Sequence, residues 1–204
     1  MTSRERVLAA IAHIEPDRVP VDLGSTTSSG ISAIAYSNLK SYIGDMNGYV
    51  RVYDVVQQLA LPEDSILDHF GIDSIDIGRT FDTRDADWYD VRLSDNVGAQ
   101  YPVWLRPRLN EDGSLEALAP DGASIARMPV GATFFDQTCF PYLDGYPSDY
   151  RGLPKAMRQG MWAGLAHSPW DHAEDEGFWD DLRRRAVALR ESSDQALVVV
   201  CGCS

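Results

Sequence analysis

Cysteine is scarce in this chain, with Cys139, Cys201 and Cys203 the only three in 204 residues. Three thiols so unevenly placed cannot build a disulfide framework, which excludes a small stapled secreted fold. Basic residues are few as well. Lysine and arginine total 18 against 31 acidic residues, a formal net charge of -13. Such a field repels phosphate backbones and anionic lipid, so nucleic acid and membrane surfaces are set aside as partners. The one basic run, Arg183-Arg184-Arg185, follows Asp180 and Asp181 and reads as a solvated helix face. No stretch approaches the ~18 consecutive apolar residues that span a bilayer. The charged opening, Met1 to Arg6, lacks the apolar core of a signal peptide. These absences together give the expectation of a cytoplasmic protein. Several familiar motifs are missing too: no G-x-G-x-x-G, P-loop, G-x-S-x-G or H-E-x-x-H occurs.

What is present suits a packed core, since hydrophobic residues make up 44% of the chain. Thr2-x-x-Glu5 reads as a capping box, and Val7, Leu8 and Ile11 recur at helical spacing, predicting a helix over 3–13. Pro16 ends it. Arg18 to Gly24 then reads as a short buried strand opening into a small-residue loop, Ser25 to Gly30. A second helix is expected over 32–43, with Ile34, Leu39 and Ile43 inward. Two short helices follow at 51–60 and 63–70, the latter with Pro62 at its start and Gly71 past its end. Ile72 to Ile77 reads as a strand. Strand, loop, helices and strand is the pattern of a parallel sheet with crossovers.

The texture changes over 88–135. Alternating runs are separated by turn signals at Asp95-Asn96, Asp112-Gly113 and Asp121-Gly122. They predict an antiparallel meander of four or five strands inserted in the α/β pattern, with a separate small β domain as the rival view. Residues 136–177 read as a long loop with one short helix near 153–162. A helix over 177–192 presents Phe178, Leu182, Ala186 and Leu189 on one face, and 196–201 is a fully apolar strand. A strand buried on both faces needs neighbours and covering helices. Only three core strands are legible, whereas an eight-stranded barrel takes about 250 residues. The expectation is therefore a truncated chain, the amino-terminal portion of a (β/α)8 TIM barrel.

Loops after parallel strands are where such barrels place chemistry. The first, over 22–30, offers the Asp22 carboxylate and the hydroxyls of Ser25, Thr26 and Ser28; it reads equally as a connector carrying a helix cap at Ser29 or Ser32. The second holds Arg79 and Asp82, which suit substrate binding or a surface ion pair. The third is Cys201-Gly202-Cys203, whose thiols share one strand face. A lone C-x-C falls short of the three or four ligands of a zinc site, so two ordinary buried cysteines are the favoured reading. His167 and His172, with Glu174 and Asp175 nearby, match no standard metal spacing. His13 and His69 stand near helix C-termini, where a structural role suffices.

The run Ser3-Arg4-Glu5-Arg6-Val7-Leu8-Ala9-Ala10-Ile11, continued by Glu15-Pro16-Asp17-Arg18-Val19-Pro20-Val21-Asp22, resembles the start of the uroporphyrinogen-decarboxylase-like superfamily. Ser29-Gly30-Ile31, the stretch Arg51 to Leu59 and Phe70-Gly71-Ile72-Asp73 are similar to its methyl-group-handling members. The resemblance covers residues 3–80 and implies the first strands of a (β/α)8 barrel. It implies one of two chemistries. Uroporphyrinogen decarboxylase grips the carboxylates of a tetrapyrrole with an arginine-bearing R-Q-A-G-R-Y run, but Gly24 to Gly30 here holds no arginine. Its aspartate after the second strand falls near Thr80, with Asp82 two residues on. A polyanionic substrate needs cations, so these departures count against decarboxylation. The other chemistry is methyl transfer with a corrinoid protein, in which a zinc held by a His-x-Cys pair and a later cysteine activates a thiol. No His-x-Cys occurs here, and the resemblance places those ligands on later strands. The expectation is a corrinoid-linked methyltransferase fragment, with zinc in the complete protein, cobalamin on a partner and a small-molecule substrate. Uroporphyrinogen decarboxylase itself and a non-catalytic binding or assembly module are the alternatives.

Overall fold

The computed structural model describes residues 1–165 and 167–200. Helix α1, Ser3–Ile11, starts on the expected capping box: Thr2 Oγ1 accepts from the Glu5 amide at 3.2 Å, and the Thr2 amide donates to Glu5 Oε2 at 2.8 Å. Its buried residue is not apolar. Leu8 and Ile11 are exposed, while Arg6 points inward. Arg6 holds Asp17 through Nε (2.6 Å) and Nη2 (2.9 Å), and its Nη1 donates to Asp73 at 2.6 Å. Arg18 donates to both oxygens of Asp73, at 2.6 and 3.0 Å. The opening run is therefore clipped down by ion pairs.

The strand expected over 18–23 does not form. Pro20 has no amide to give, and the Val21 amide donates to the Asp73 carboxylate at 2.8 Å instead of to a ladder. One backbone bond joins this segment to its neighbour, from the Asp73 amide to the Val21 carbonyl at 2.8 Å. Val19 is exposed.

Strand β1 (Ile31–Ser32) leads into α2 (Ala33–Ile43), which Ser32 caps by accepting from the Ala35 amide at 3.3 Å. Ile34, Leu39 and Ile43 are only half-buried; Ala33, Tyr36 and Lys40 form the buried stripe. Lys40 is tolerated inside because its Nζ donates to the Glu63 carboxylate and to the Asn47 carbonyl. Residues 51–60 are not helical, contrary to expectation. They form β2 (Val52–Asp54) and β3 (Leu59–Ala60), an antiparallel pair with β1 on the far side of β3. Branched Val52, Val55 and Val56 disfavour a helix, and the Asp54 carboxylate accepts the Val56 and Gln57 amides at 3.0 and 2.9 Å, closing a turn. Helix α3 (Asp64–Phe70) ends at Gly71 and β4 (Ser74–Asp76) follows, with Ile72, Ile75 and Ile77 buried.

The antiparallel strands are present, but as six and not four or five, the last of them in the expected loop: β5 (Trp88–Arg92), β6 (Gly98–Pro102), β7 (Arg108–Leu109), β8 (Leu115–Leu118), β9 (Ser124–Met128) and β10 (Asp136–Gln137). They divide into a β5–β6 hairpin and a four-stranded antiparallel sheet in the order β10-β9-β8-β7. The turns lie where the sequence marks them. Asp95 and Asn96 have φ of 62° and 60°, and Gly113 and Gly122 have φ of 82° and 84°. Ala99, Tyr101, Ile125 and Phe135 share one core with Tyr36, Val52 and Ile66, so the meander packs directly on the preceding segment.

Two short helices, α4 (Leu153–Gln159) and α5 (Met161–Leu165), occupy the stretch in which one was expected. Helix α6 (Phe178–Ser192) follows, with Arg184 and Arg185 both paired to Asp181, as a solvated face requires. Strand β11 (Ala196–Val198) runs parallel to β4, with Ala196 opposite Ser74 and Val198 opposite Asp76. The architecture is mixed α/β, with six α-helices and several small sheets among the described residues, and no closed barrel among them. No helix there is long and apolar enough to cross a membrane.

Candidate functional site

The parallel pair β4–β11 points its C-terminal end at two adjoining cavities of about 110 and 540 Å3. They share a wall made by Gly24, Ser25, Tyr53, Asp76, His167 and Pro169. Asp76 is the last residue of β4, and the chain turns over it in a tight 3-10 turn, Ile77–Thr80. A side chain at Gly78 would put its Cβ 2.4 Å from Asp76 Oδ2, so the fold needs glycine there to pass the carboxylate. Burial pushes the Asp76 carboxyl above the usual range, offset only in part by the Gly78 amide, the Arg79 charge and the Ile77 amide. Such a group exchanges a proton more readily near neutrality than an ordinary aspartate.

Tyr53, on β2, brings its hydroxyl to the same wall. That oxygen is buried and has no hydrogen-bond partner among the described residues. Burial first, then the charges of Asp54, Asp76 and Asp22, hold the phenol above its ordinary value, so it stays protonated. Asp54 is occupied by backbone amides and by Gln57 Nε2 at 2.9 Å. Among the described residues neither Asp54 nor Asp76 has a cationic partner within 4.0 Å. On the same shared wall His167 packs on Trp104 with ring centroids 4.0 Å apart.

The residues singled out from sequence divide. Ser25 is buried on the shared wall, and Thr26 lines the larger cavity. Arg79 and Asp82 line the smaller one, but Arg79 is turned to Asp64 (2.7 Å) and to the Pro62 carbonyl (3.2 Å). Asp82 holds φ of 49°, and its carbonyl accepts from Trp88 Nε1 at 2.7 Å. Asp22 lines neither cavity. Its Oδ1 accepts from Ser74 Oγ at 2.7 Å and the Ser25 amide at 3.3 Å. Burial would raise its carboxyl, but the hydroxyl of Ser29 first, then Ser74 and Ser25, outweigh burial and hold it low. Ser28 is exposed and lines neither cavity. Cys201 and Cys203 lie outside the described residues. His172 pairs with Asp175 at 2.9 Å in the open, and no group of three or more potential metal ligands occurs among the described residues. Asp76 and Tyr53 were hidden in sequence, the first inside an apolar strand and the second in an expected helix. No family model matches the chain, and neither the curated proteins nor the solved structures give a match.

Proposed function

We propose that this chain forms the amino-terminal part of a (β/α)8-type cytoplasmic enzyme of the uroporphyrinogen-decarboxylase-like superfamily, acting in corrinoid-linked methyl transfer. The observation that carries the choice of reaction is the charge of the larger cavity. Asp54, Asp76 and Asp171 line it, and no arginine or lysine does. A tetrapyrrole polycarboxylate would meet repulsion there, whereas a small neutral or cationic acceptor would not. Its volume of about 540 Å3 falls within the range of small-molecule sites. The superfamily assignment is supported by residues of the resembling run: Arg6 and Arg18 converge on Asp73 just before β4, and Asp17 holds Arg6 there. The described residues do not supply a zinc site, so no step is routed through that metal. Cobalamin would arrive on a separate corrinoid protein.

The test is to supply methylcobalamin and a thiol and follow the loss of the alkylcobalamin spectrum. Transfer above the uncatalysed rate supports the proposal. The assay is made on the full-length parent, since the resemblance places the metal ligands on later strands. Carboxyl loss from a tetrapyrrole, or no turnover by that parent with any corrinoid donor, overturns it.

A binding or assembly role is favoured by one observation, the exposure of Leu8, Ile11, Ile14 and Val19 in the opening segment. Concentration-dependent association that Leu8→Glu abolishes would support it.

A further inference from the structure

The larger cavity combines two features that seldom meet without a reason. Three carboxylates line it, those of Asp54, Asp76 and Asp171, and so do three aromatic side chains, Tyr53, Trp162 and Trp170. Two other carboxylates at buried or half-buried positions are paired with cations: Asp73 takes two arginines, and Glu63 takes Lys40. Here Asp54 and Asp76 have backbone amides around them and no arginine or lysine within ion-pair distance among the described residues. Arg79, across the smaller cavity, is turned to Asp64, and no arginine or lysine lines the larger space. Asp171 is exposed, with His167 3.6 Å away. Carboxylates without an arginine or lysine partner beside a wall of π-faces are complementary to one chemical class. A quaternary or alkylated ammonium ion brings a diffuse positive charge, no obligatory hydrogen bond, and methyl groups that pack on aromatic faces. Its charge also supplies what Asp76 lacks, since burial pushes that carboxyl up.

We infer that this cavity binds a small alkylated ammonium ion, held by the Asp54–Asp76 side and by the indoles of Trp162 and Trp170. The inference rests on reading the cavity as the substrate site of the function proposed above, and names the charge and class of what it takes.

The experiment is calorimetric titration of the purified chain with choline, tetramethylammonium and 3,3-dimethylbutan-1-ol, the neutral isostere of choline. Choline is expected to bind at least about tenfold more tightly than the isostere, because the two differ in charge alone. Asp76→Asn and Trp162→Ala should each weaken choline by about tenfold while leaving the isostere nearly unchanged or, for Trp162→Ala, equally weakened. Trp162 is 43% exposed, so its loss leaves the core intact and keeps the test valid should Asp76→Asn misfold. Equal affinity for choline and the isostere overturns the inference, as does the absence of choline binding by protein that unfolds cooperatively. Choline binding by the chain, with no methyl transfer from methylcobalamin by its full-length parent, keeps this inference and ends the methyltransferase reading. Methyl transfer without ammonium binding does the reverse.

Discussion

Arg6 Nη1 stands 2.6 Å from Asp73 Oδ1, and both side chains are buried. That pair joins the first helix to the start of β4, 67 residues later in the chain. Asp73 also accepts two bonds from Arg18 and one from the Val21 amide, so its removal would strip four donors at once. Asp73→Ala leaves the buried Arg6 with Asp17 as its one carboxylate, beside the Met1 carbonyl. A loss of about 3–5 kcal/mol is expected, the usual cost of breaking a buried pair from one side. A urea titration measures it, and a midpoint within error of the parent's would refute the role given to this cluster.

The same cluster sets the acid limit. Burial by itself would raise the Asp73 carboxyl, but the Val21 amide and the two arginines outweigh it and hold it low. The Arg6 bond holds Asp17 lower still. An unfolded aspartate titrates near about 3.9. A group depressed on folding contributes stability that is complete above that value and is lost as pH falls through the folded one. Urea midpoints should therefore stay level from pH 6 to about pH 4 and drop steeply below it. In Asp17→Asn the neutral-pH midpoint should fall and the acid slope should become shallower.

The hairpin between β5 and β6 turns on Asp95 and Asn96, both left-handed, with Arg92 Nη1 donating to the Asn96 carbonyl at 3.0 Å. Asparagine bears that conformation better than residues without a short polar side chain. Asn96→Ala should cost about 1 kcal/mol and Asn96→Gly should cost nothing or stabilise. On a chain of this length 1 kcal/mol corresponds to about 2–4 °C in Tm, readable by thermal melting.

Those turns were legible because their chemistry is local, and so were the caps at Thr2 and Ser32 and the Phe178–Ser192 helix. The errors share a different cause. Residues 18–23 carry a strand-like pattern, but the Val21 amide is claimed by Asp73, some fifty residues away in sequence. Residues 51–60 resemble a helix until the Asp54 side chain takes the Val56 and Gln57 amides and Leu59 and Ala60 pair back onto the strand. Site residues followed suit. Asp22 was singled out for its place after an expected strand, yet it serves the turn and Ser74. Asp76 was passed over, because a carboxylate between two isoleucines carries no sign of its depth until β11 pairs alongside.

Tyr53 offers a test of whether the cavity wall is held under strain. Its hydroxyl oxygen is buried without a partner among the described residues, and such a group costs about 1–3 kcal/mol in desolvation. Tyr53→Phe deletes the oxygen and keeps the ring, so the variant should be more stable than the parent by about 1 kcal/mol. A clear loss of stability would mean that the hydroxyl has an ordered partner, such as water, and is not strained.

Asp76 should behave in the opposite sense to Asp73. Burial raises its carboxyl on folding, so the folded state binds a proton more tightly than the unfolded one does. Ionised Asp76 therefore opposes folding above its folded pKa, and the penalty fades as pH falls through that value. Asp76→Asn keeps the shape and removes the charge. At pH 7.5 the variant should melt above the parent, and the gap should narrow as the pH falls through the folded pKa of Asp76. A residue retained at the expense of stability, on the wall of a cavity at the end of a parallel strand, is what a working site requires. Thermal melts of both proteins across that range decide the matter: a variant less stable than its parent at pH 7.5 would make Asp76 a structural carboxylate and remove it from the site.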